Sequence, residues 1–225
     1  MDSSPTFTVR ARGPLAIFTR PELKVERVSY PVMTPSAARG LLEAILWKPA
    51  IRWRIERIKV LNEIKFTAFR RNEINNKAVA PKASVIKEGG AMTPYYADED
   101  RAQRNTVALK DVDYVIEAHF EMTANAGPEE NLKKFTEMFL RRLEKGQHFH
   151  HPYLGCRECA ADVTIAEHAA TPIESNEDLG IMLWDIDFGK NNRPRFFHAR
   201  LRDGVLEVPM NPDATLQSSL TGGAS

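Results

Sequence analysis

Hydropathy changes period along this chain in a fixed order, two, 3.6, two and then again two, 3.6, two, and few folds accommodate that order. The first period-two run covers residues 6–18 and is interrupted at Gly13-Pro14. Thr34-Pro35 follows a basic loop and reads as an N-cap with proline at the first helical position. Behind it Ala37, Ala38, Leu41, Leu42, Ala44 and Ile45 supply a broad apolar face that stops at Lys48-Pro49, a helix of about three turns. Ile51, Trp53 and Ile55 then alternate with Arg52, Arg54 and Glu56, which predicts a strand over 51–60 with a basic outward side. In the second half Tyr114, Ile116, Ala118 and Phe120 alternate with Val115, Glu117, His119 and Glu121, a strand over 106–122. Leu132, Phe135, Phe139 and Leu143 form one stripe of a helix over 129–145 with Gly146 as its C-cap candidate, and 161–167 is a short strand.

Strand, helix, strand, taken twice, is the β-α-β-β-α-β order of a ferredoxin-like (RRM-like) domain, so the fold class is α+β. The domain is predicted over 1–160, with a long hairpin-like insertion at about 62–106 that carries Arg70-Arg71-Asn72, Pro81, Gly89, Gly90 and Pro94. A structureless stretch of that length inside a domain is usually functional or mobile. Short strands at 181–188, 194–201 and 204–209 predict a small C-terminal antiparallel β-sheet over 161–210, and the Ser-, Thr- and Gly-rich tail 211–225 is expected to be disordered.

Lys plus Arg number 31 against 30 Asp plus Glu, so a nucleic-acid surface must come from clustering of charge, not from excess. No apolar run approaches the roughly 18–20 residues of a membrane span, and residues 1–14 lack a signal-peptide centre, which predicts a cytoplasmic protein with no membrane partner. Cys156 and Cys159 form a single C-x-x-C and are expected to be reduced thiols. With His148, His150 and His151 upstream they have zinc-ligand chemistry, but a second well-spaced pair is missing, so no metal is expected. Walker, dinucleotide and H-E-x-x-H motifs are absent, and no cofactor is expected.

Basic residues cluster in four places: Lys24 with Arg27; Arg52, Arg54 and Arg57; Lys65, Arg70 and Arg71; Arg101, Arg104 and Lys110. Beside them stand groups that stack on bases or hydrogen-bond to them, among them Trp47, Phe69, Tyr95, Tyr96, Gln103 and Asn105, the combination used for single-stranded RNA. Cutting RNA without metal needs a base for the 2′-hydroxyl proton, an acid for the leaving oxygen and a cation for the developing charge. His119, His148, His150, His151, Tyr114, Lys134 and Arg141 are of the right types, while a strand-face His119, a core Tyr114 and exposed loop histidines are the structural readings of the same residues.

Three separated segments, SYPVMTPSAARGLLEAILWKPAIRW, RAQRNTVALKDVDYVIEAHF and YLGCREC, resemble CRISPR-associated family five of the subtype I-C systems, over nearly the whole chain to about residue 209. The resemblance implies a member of the repeat-associated RNA-binding superfamily, with metal-independent cleavage of the CRISPR precursor transcript at its repeat hairpin. It implies retention of the 5′ handle of the guide RNA in an interference complex. The implied partners are the repeat and guide RNA, a family-seven backbone subunit, a family-eight large subunit and, through the complex, target DNA. The RNA-binding residues expected here are Lys24, Arg27, Lys48, Arg52, Arg70, Arg71, Arg101, Gln103, Arg104, Asn105 and Arg141. The family's tyrosine on the first helix falls on Leu46 and its Lys-His pair on Lys134-Phe135, so base and acid are expected from His148, His150 and His151, with Lys134 as the stabilising cation. The alternative is a non-catalytic subunit that caps the 5′ end of the guide.

Overall fold

Strand β1 (Phe7–Ala16) runs straight through Gly13-Pro14, where an interruption was expected. Its antiparallel register with β5 (Arg101–Met122) is the same on both sides of that rung, from Phe7 opposite Ala118 to Ala16 opposite Leu109. Pro14 has no N–H to give, and across from it Asp111 takes a left-handed φ of 52°, so one rung is lost and the ladder continues. Asn62 steadies that rung by donating its side-chain N–H to the Asp111 carbonyl at 2.8 Å. In this computed structural model residues 2–23, 25–77, 79–89, 94–166, 170–188, 191–213 and 216 are described.

After β1 come β2 (Arg27–Val28), α1 (Pro35–Ile45), β3 (Ile51–Val60), β4 (Phe66–Ile74), the five-residue α2 (Ala83–Lys87) and β5. They are followed by α3 (Leu132–Glu144), β6 (Asp162–Ile165), β7 (Asp178–Asp187), β8 (Arg193–Arg202) and β9 (Val205–Glu207). The strands make one large sheet in the order β6-β1-β5-β3-β9-β8-β7, with β2 and β4 also paired to β5. Every neighbouring pair along that path is antiparallel. This is a mixed α/β protein dominated by an antiparallel sheet with few helices.

α1 starts at its expected cap, and α3 starts at Leu132, three residues after the expected 129. Thr34 accepts the Ala37 N–H at 3.2 Å with Pro35 in the first turn of α1, and Asn131 accepts the Lys134 N–H at 3.0 Å to begin α3. α3 ends in a Schellman-type cap: Gly146 adopts φ +62° and Gln147 N–H reaches the Arg142 carbonyl at 2.7 Å. Both helices lay their apolar stripes on one face of the sheet around Phe7, Trp53, Phe120 and Phe139, whose ring centroids lie 4.7–5.7 Å apart. Each such aromatic pair adds roughly 0.5–1.5 kcal/mol beyond its buried area.

The same core continues into the C-terminal strands, because Met182, Phe197, Ala199, Leu201 and Leu206 pack into it with residues of β1, β3 and β5. β6 lies on the opposite edge of the sheet, beside β1, so the strand expected at 161–167 pairs with the first half and not with the C-terminal strands. The hairpin-like insertion is larger in its regular part than its sequence indicates. β4 pairs with residues 101–109 of β5 over its whole length, so β5 begins five residues before the expected 106. Of the tail expected to be disordered, Asp213 is tied to Arg195 at 2.9 Å, and residues from 217 lie outside the described residues. Cys156 and Cys159 are free and buried in a turn. No helix among the described residues is long and apolar enough to cross a membrane.

Candidate nucleic-acid interface

β4 and residues 101–109 of β5 form a two-stranded arm, and its register sorts the expected RNA-binding residues onto two faces. Directly opposed residues share a face. Arg70 stands opposite Asn105, Asn72 opposite Gln103 and Ile74 opposite Arg101, so these six side chains make a ladder on one side of the arm. All six are exposed, and no carboxylate interrupts the ladder from Phe66 to Ile74 or from Arg101 to Leu109. Arg70, Arg101 and Gln103 make no side-chain bond within the described residues, which leaves their donors for a ligand. A row of Arg, Asn and Gln without carboxylates matches phosphate and base-edge recognition.

Arg71 and Arg104 point to the other face, opposite one another. Arg71 is only 16% exposed; its Nε donates to Thr106 Oγ1 at 2.7 Å, and its Nη2 lies 2.6 Å from Glu73 Oε1 as an ion pair without hydrogen-bond alignment. Glu73 also holds Arg27, whose Nη1 donates to the Cys156 sulfur at 3.3 Å. These cations therefore tie the root of the arm to the C-x-x-C turn and are spent before any RNA arrives. Arg104 contacts the Asn75 side chain at 3.4 Å. Lys24 lies outside the described residues.

The loop after α3 docks on the end of α1. Phe149 and His150 donate their backbone N–H groups to the Ala44 carbonyl at 2.8 and 3.2 Å, Arg142 donates to Ile45 O at 2.6 Å, and Trp53 Nε1 donates to Leu46 O at 2.9 Å. The last carbonyls of α1, which no helical N–H can reach, are satisfied in this way. The docking builds a cleft of about 560 Å³ lined by Trp47, Phe149, His150, His151, Tyr153 and Arg157. Trp47 is 58% exposed and Phe149, whose ring meets that of His150, 74%, which gives the cleft exposed aromatic surface beside a cation.

Lys134 is not part of that cleft. It sits in the first turn of α3, and the histidines follow its last turn, so about 15 Å of helix axis separates them at 1.5 Å per residue. One phosphorane cannot touch both ends, and the expected grouping of Lys134 with His148, His150 and His151 around a single phosphate is not what the chain builds. Lys134 instead shares a shallow groove with Asn131, Lys133 and Arg141. Lys48, just past the end of α1, is half-buried, and Arg52 at the start of β3 is exposed. Leu46 and Phe135 are 0% and 1% exposed in the core, so the two family positions that differ here are packing positions in this chain. Tyr114 is buried too, and burial pushes its phenol well above the ordinary range, out of reach as an acid or base.

A further pair has a geometry that sequence does not reveal. β3 bulges between Ile55 and Arg57, and the extra residue, Glu56, swings its carboxylate to His119 Nδ1 at 2.5 Å while accepting the Thr6 hydroxyl at 3.1 Å. Around it the remaining charges are paired: Arg54 with Glu121, Arg57 with Glu117 and Glu207, Lys59 with Glu117. Among the described residues no group of three or more His, Cys, Asp or Glu side chains is placed to hold a metal ion.

Residues 6–209 match the family model described as CRISPR-associated protein (Cas_Cas5). Among curated proteins, a CRISPR pre-crRNA endoribonuclease Cas5d of Mannheimia succiniciproducens is 50% identical over 206 residues, covering 88% of this chain and 92% of the relative. A second protein of that name, from Thermus thermophilus, is 42% identical over 220 residues, covering 89% and 90%. Among solved structures, a CRISPR-associated protein superposes with a TM-score of 0.70 at 23% identity over 96% of each chain. A functionally uncharacterised Streptococcus mutans protein, SMU1763c, gives 0.66 at 22% over 95% of this chain and 96% of its own. These two likenesses concern the fold.

Proposed function

The chain belongs to the CRISPR-associated Cas5 family, and from that premise we propose that it is a pre-crRNA endoribonuclease that cuts the repeat without metal and keeps the 5′ handle. The observation that carries the RNA-binding part is the carboxylate-free ladder Arg70, Asn72, Ile74, Arg101, Gln103 and Asn105 on one face of the arm. RNA held there continues past the arm root to the Trp47–Arg157 cleft, where His150 and His151 meet bases or phosphates with His148 edge-on against His151, and Lys134 with Arg141 forms a separate phosphate contact on α3. The path β6-β1-β5-β3, with α1 after β1 and α3 after β5, supports a ferredoxin-like reading of this half. Within an interference complex the protein would sit beside a family-seven backbone subunit and a family-eight large subunit, with target DNA bound by the assembly.

Without metal the attacking group is the substrate's own 2′-hydroxyl, so the products are a 2′,3′-cyclic phosphate and a 5′-hydroxyl. The deciding experiment incubates purified protein with repeat RNA in EDTA, beside the same RNA carrying one 2′-deoxy residue at the cut site. Cleavage of the first and none of the second, with equal binding of both, is the expected result. Tight binding with no cleavage of either would favour the capping subunit instead.

A further inference from the structure

We infer that His119, held by Glu56, is the group that takes the 2′-hydroxyl proton in the cleavage reaction, with Arg54 beside it for the phosphate charge; this rests on the endoribonuclease reading and names its base. Proton transfer asks for an imidazole with one nitrogen fixed and the other free. Glu56 engages Nδ1, which as an N–H donor to the carboxylate leaves Nε2 as the acceptor. Nε2 has no partner among the described residues and is not sealed from solvent, since the His119 side chain is 19% exposed. It opens on a cleft of about 390 Å³ at the edge of β3, walled by α1 and by the C-terminal strands.

Arg54 stands directly opposite His119 in the β3–β5 register, which places the two Cβ atoms about 4.5–5.5 Å apart. Its Nε donates to Glu121 at 2.9 Å, and that single bond aims the guanidinium while its two terminal nitrogens have no partner among the described residues. The cleft carboxylates Glu207 and Asp185 do not compete for it, and neither does nearby Glu117: Glu117 and Glu207 are held by Arg57, and Asp185 is held by Arg39 at 2.8 and 2.9 Å. Trp184, Pro209 and Met210 supply an apolar wall on which a nucleotide can rest. By contrast, no carboxylate among the described residues fixes a tautomer of the loop histidines; His148 meets His151, and His150 meets Phe149, ring to ring.

The step balances without a co-reactant. Nε2 takes the proton from the 2′-oxygen, that oxygen bonds to phosphorus, the bond from phosphorus to the 5′ oxygen breaks, and the leaving oxygen takes a proton from water. The imidazolium returns its proton to solvent before the next turnover.

The test is single-turnover cleavage of repeat RNA in EDTA, with protein in saturating excess, for the wild type, His119→Ala, His119→Gln and Glu56→Gln. Loss of a general base predicts a rate lower by roughly 10² to 10⁴ in both His119 variants, with the Kd for RNA within about twofold. Added imidazole should restore part of the rate in His119→Ala, where it can enter the vacated space, and none in Glu56→Gln. A purely structural pair would give no imidazole rescue, and that result overturns the proposal. Wild-type rates in His119→Gln, with its fold verified by circular dichroism, overturn it as well. An RNA whose 5′-bridging oxygen at the cut is replaced by sulfur needs no proton on its leaving group. Recovery of His119→Ala on that substrate would make His119 the acid and refute the assignment as base. A wild-type protein that is inert in EDTA removes the endoribonuclease reading itself, a failure distinct from an active enzyme indifferent to His119.

Discussion

The two faces of the arm make opposite demands on mutations that look alike in sequence. Arg70 and Arg101 are exposed and make no side-chain bond among the described residues, so the double variant Arg70→Ala/Arg101→Ala should remove the two proposed phosphate contacts and little else. At roughly 0.7 per contact for a single strand, the slope of log K against log salt should fall by roughly 1.4. Over a fourfold rise in salt the variant then loses about sevenfold less affinity than the parent does, and its melting temperature should stay within about 1 °C. Arg71→Ala is one residue away and should behave in the reverse manner. It strips Glu73 of its nearer partner in a site only 16% and 31% exposed, although Arg27 remains at 3.4 Å. Discounting the buried-pair figure for that exposure and for the remaining partner leaves about 1–2 kcal/mol, or roughly 2–8 °C in Tm for a chain of this size. Fluorescence anisotropy across a salt series and a thermal melt read both quantities. An Arg71→Ala variant that loses salt slope like the double variant while melting at the parental temperature would refute the division of the arm into a ligand face and a root face.

Trp47→Ala should weaken single-stranded RNA binding by about 1–3 kcal/mol through lost stacking, with no change in Tm because the ring is more than half exposed; anisotropy and calorimetry check it. Restoring the family's tyrosine by Leu46→Tyr should not raise the cleavage rate and should cost about 1–3 kcal/mol, since the site is fully buried; a faster enzyme of unchanged stability would contradict this. Burial, then Cys156 and Glu158, push the Cys159 thiol up to about 11, so about 0.1% is thiolate at pH 8 and alkylation by iodoacetamide should be some three orders of magnitude slower than its fully ionised limit. Burial raises the Glu117 carboxyl, but Lys59 and Arg57 outweigh it and its folded value lies below the ordinary one. That contribution to stability is present above the unfolded pKa and fades as pH falls through the folded one, so Glu117→Gln should flatten the acid limb of a stability–pH curve.

Helices α1 and α3 and the inner strands were legible because each buries one side, and burial imprints a period: Leu41, Leu42 and Ile45 on a helix, Ile116, Ala118 and Phe120 on a strand. The arm buries neither face beyond its root, so Arg70 to Ile74 and Arg101 to Asn105 alternate polar with polar and show no period to read. The candidate cleavage groups fared worse for a different reason. Lys134 and His148 are near in sequence, and a rigid helix turns that nearness into distance. Glu56 and His119 are 63 residues apart, and a one-residue bulge, which no local pattern announces, joins them. Leu46 and Phe135 did carry their message, since their apolar side chains already suited the core and not chemistry.

β5 is a single unbroken element of 22 residues that serves the arm at one end and the middle of the sheet at the other. From Asn105 on the ladder to His119 is about 46 Å at roughly 3.3 Å per residue, all of it in one hydrogen-bonded rod with no hinge loop between. A rod of that kind works as a gauge. In the proposed reaction, where the strand grips its RNA would fix how many nucleotides span to the point of attack, so the length of the retained handle would be set by protein geometry as much as by the bases being read.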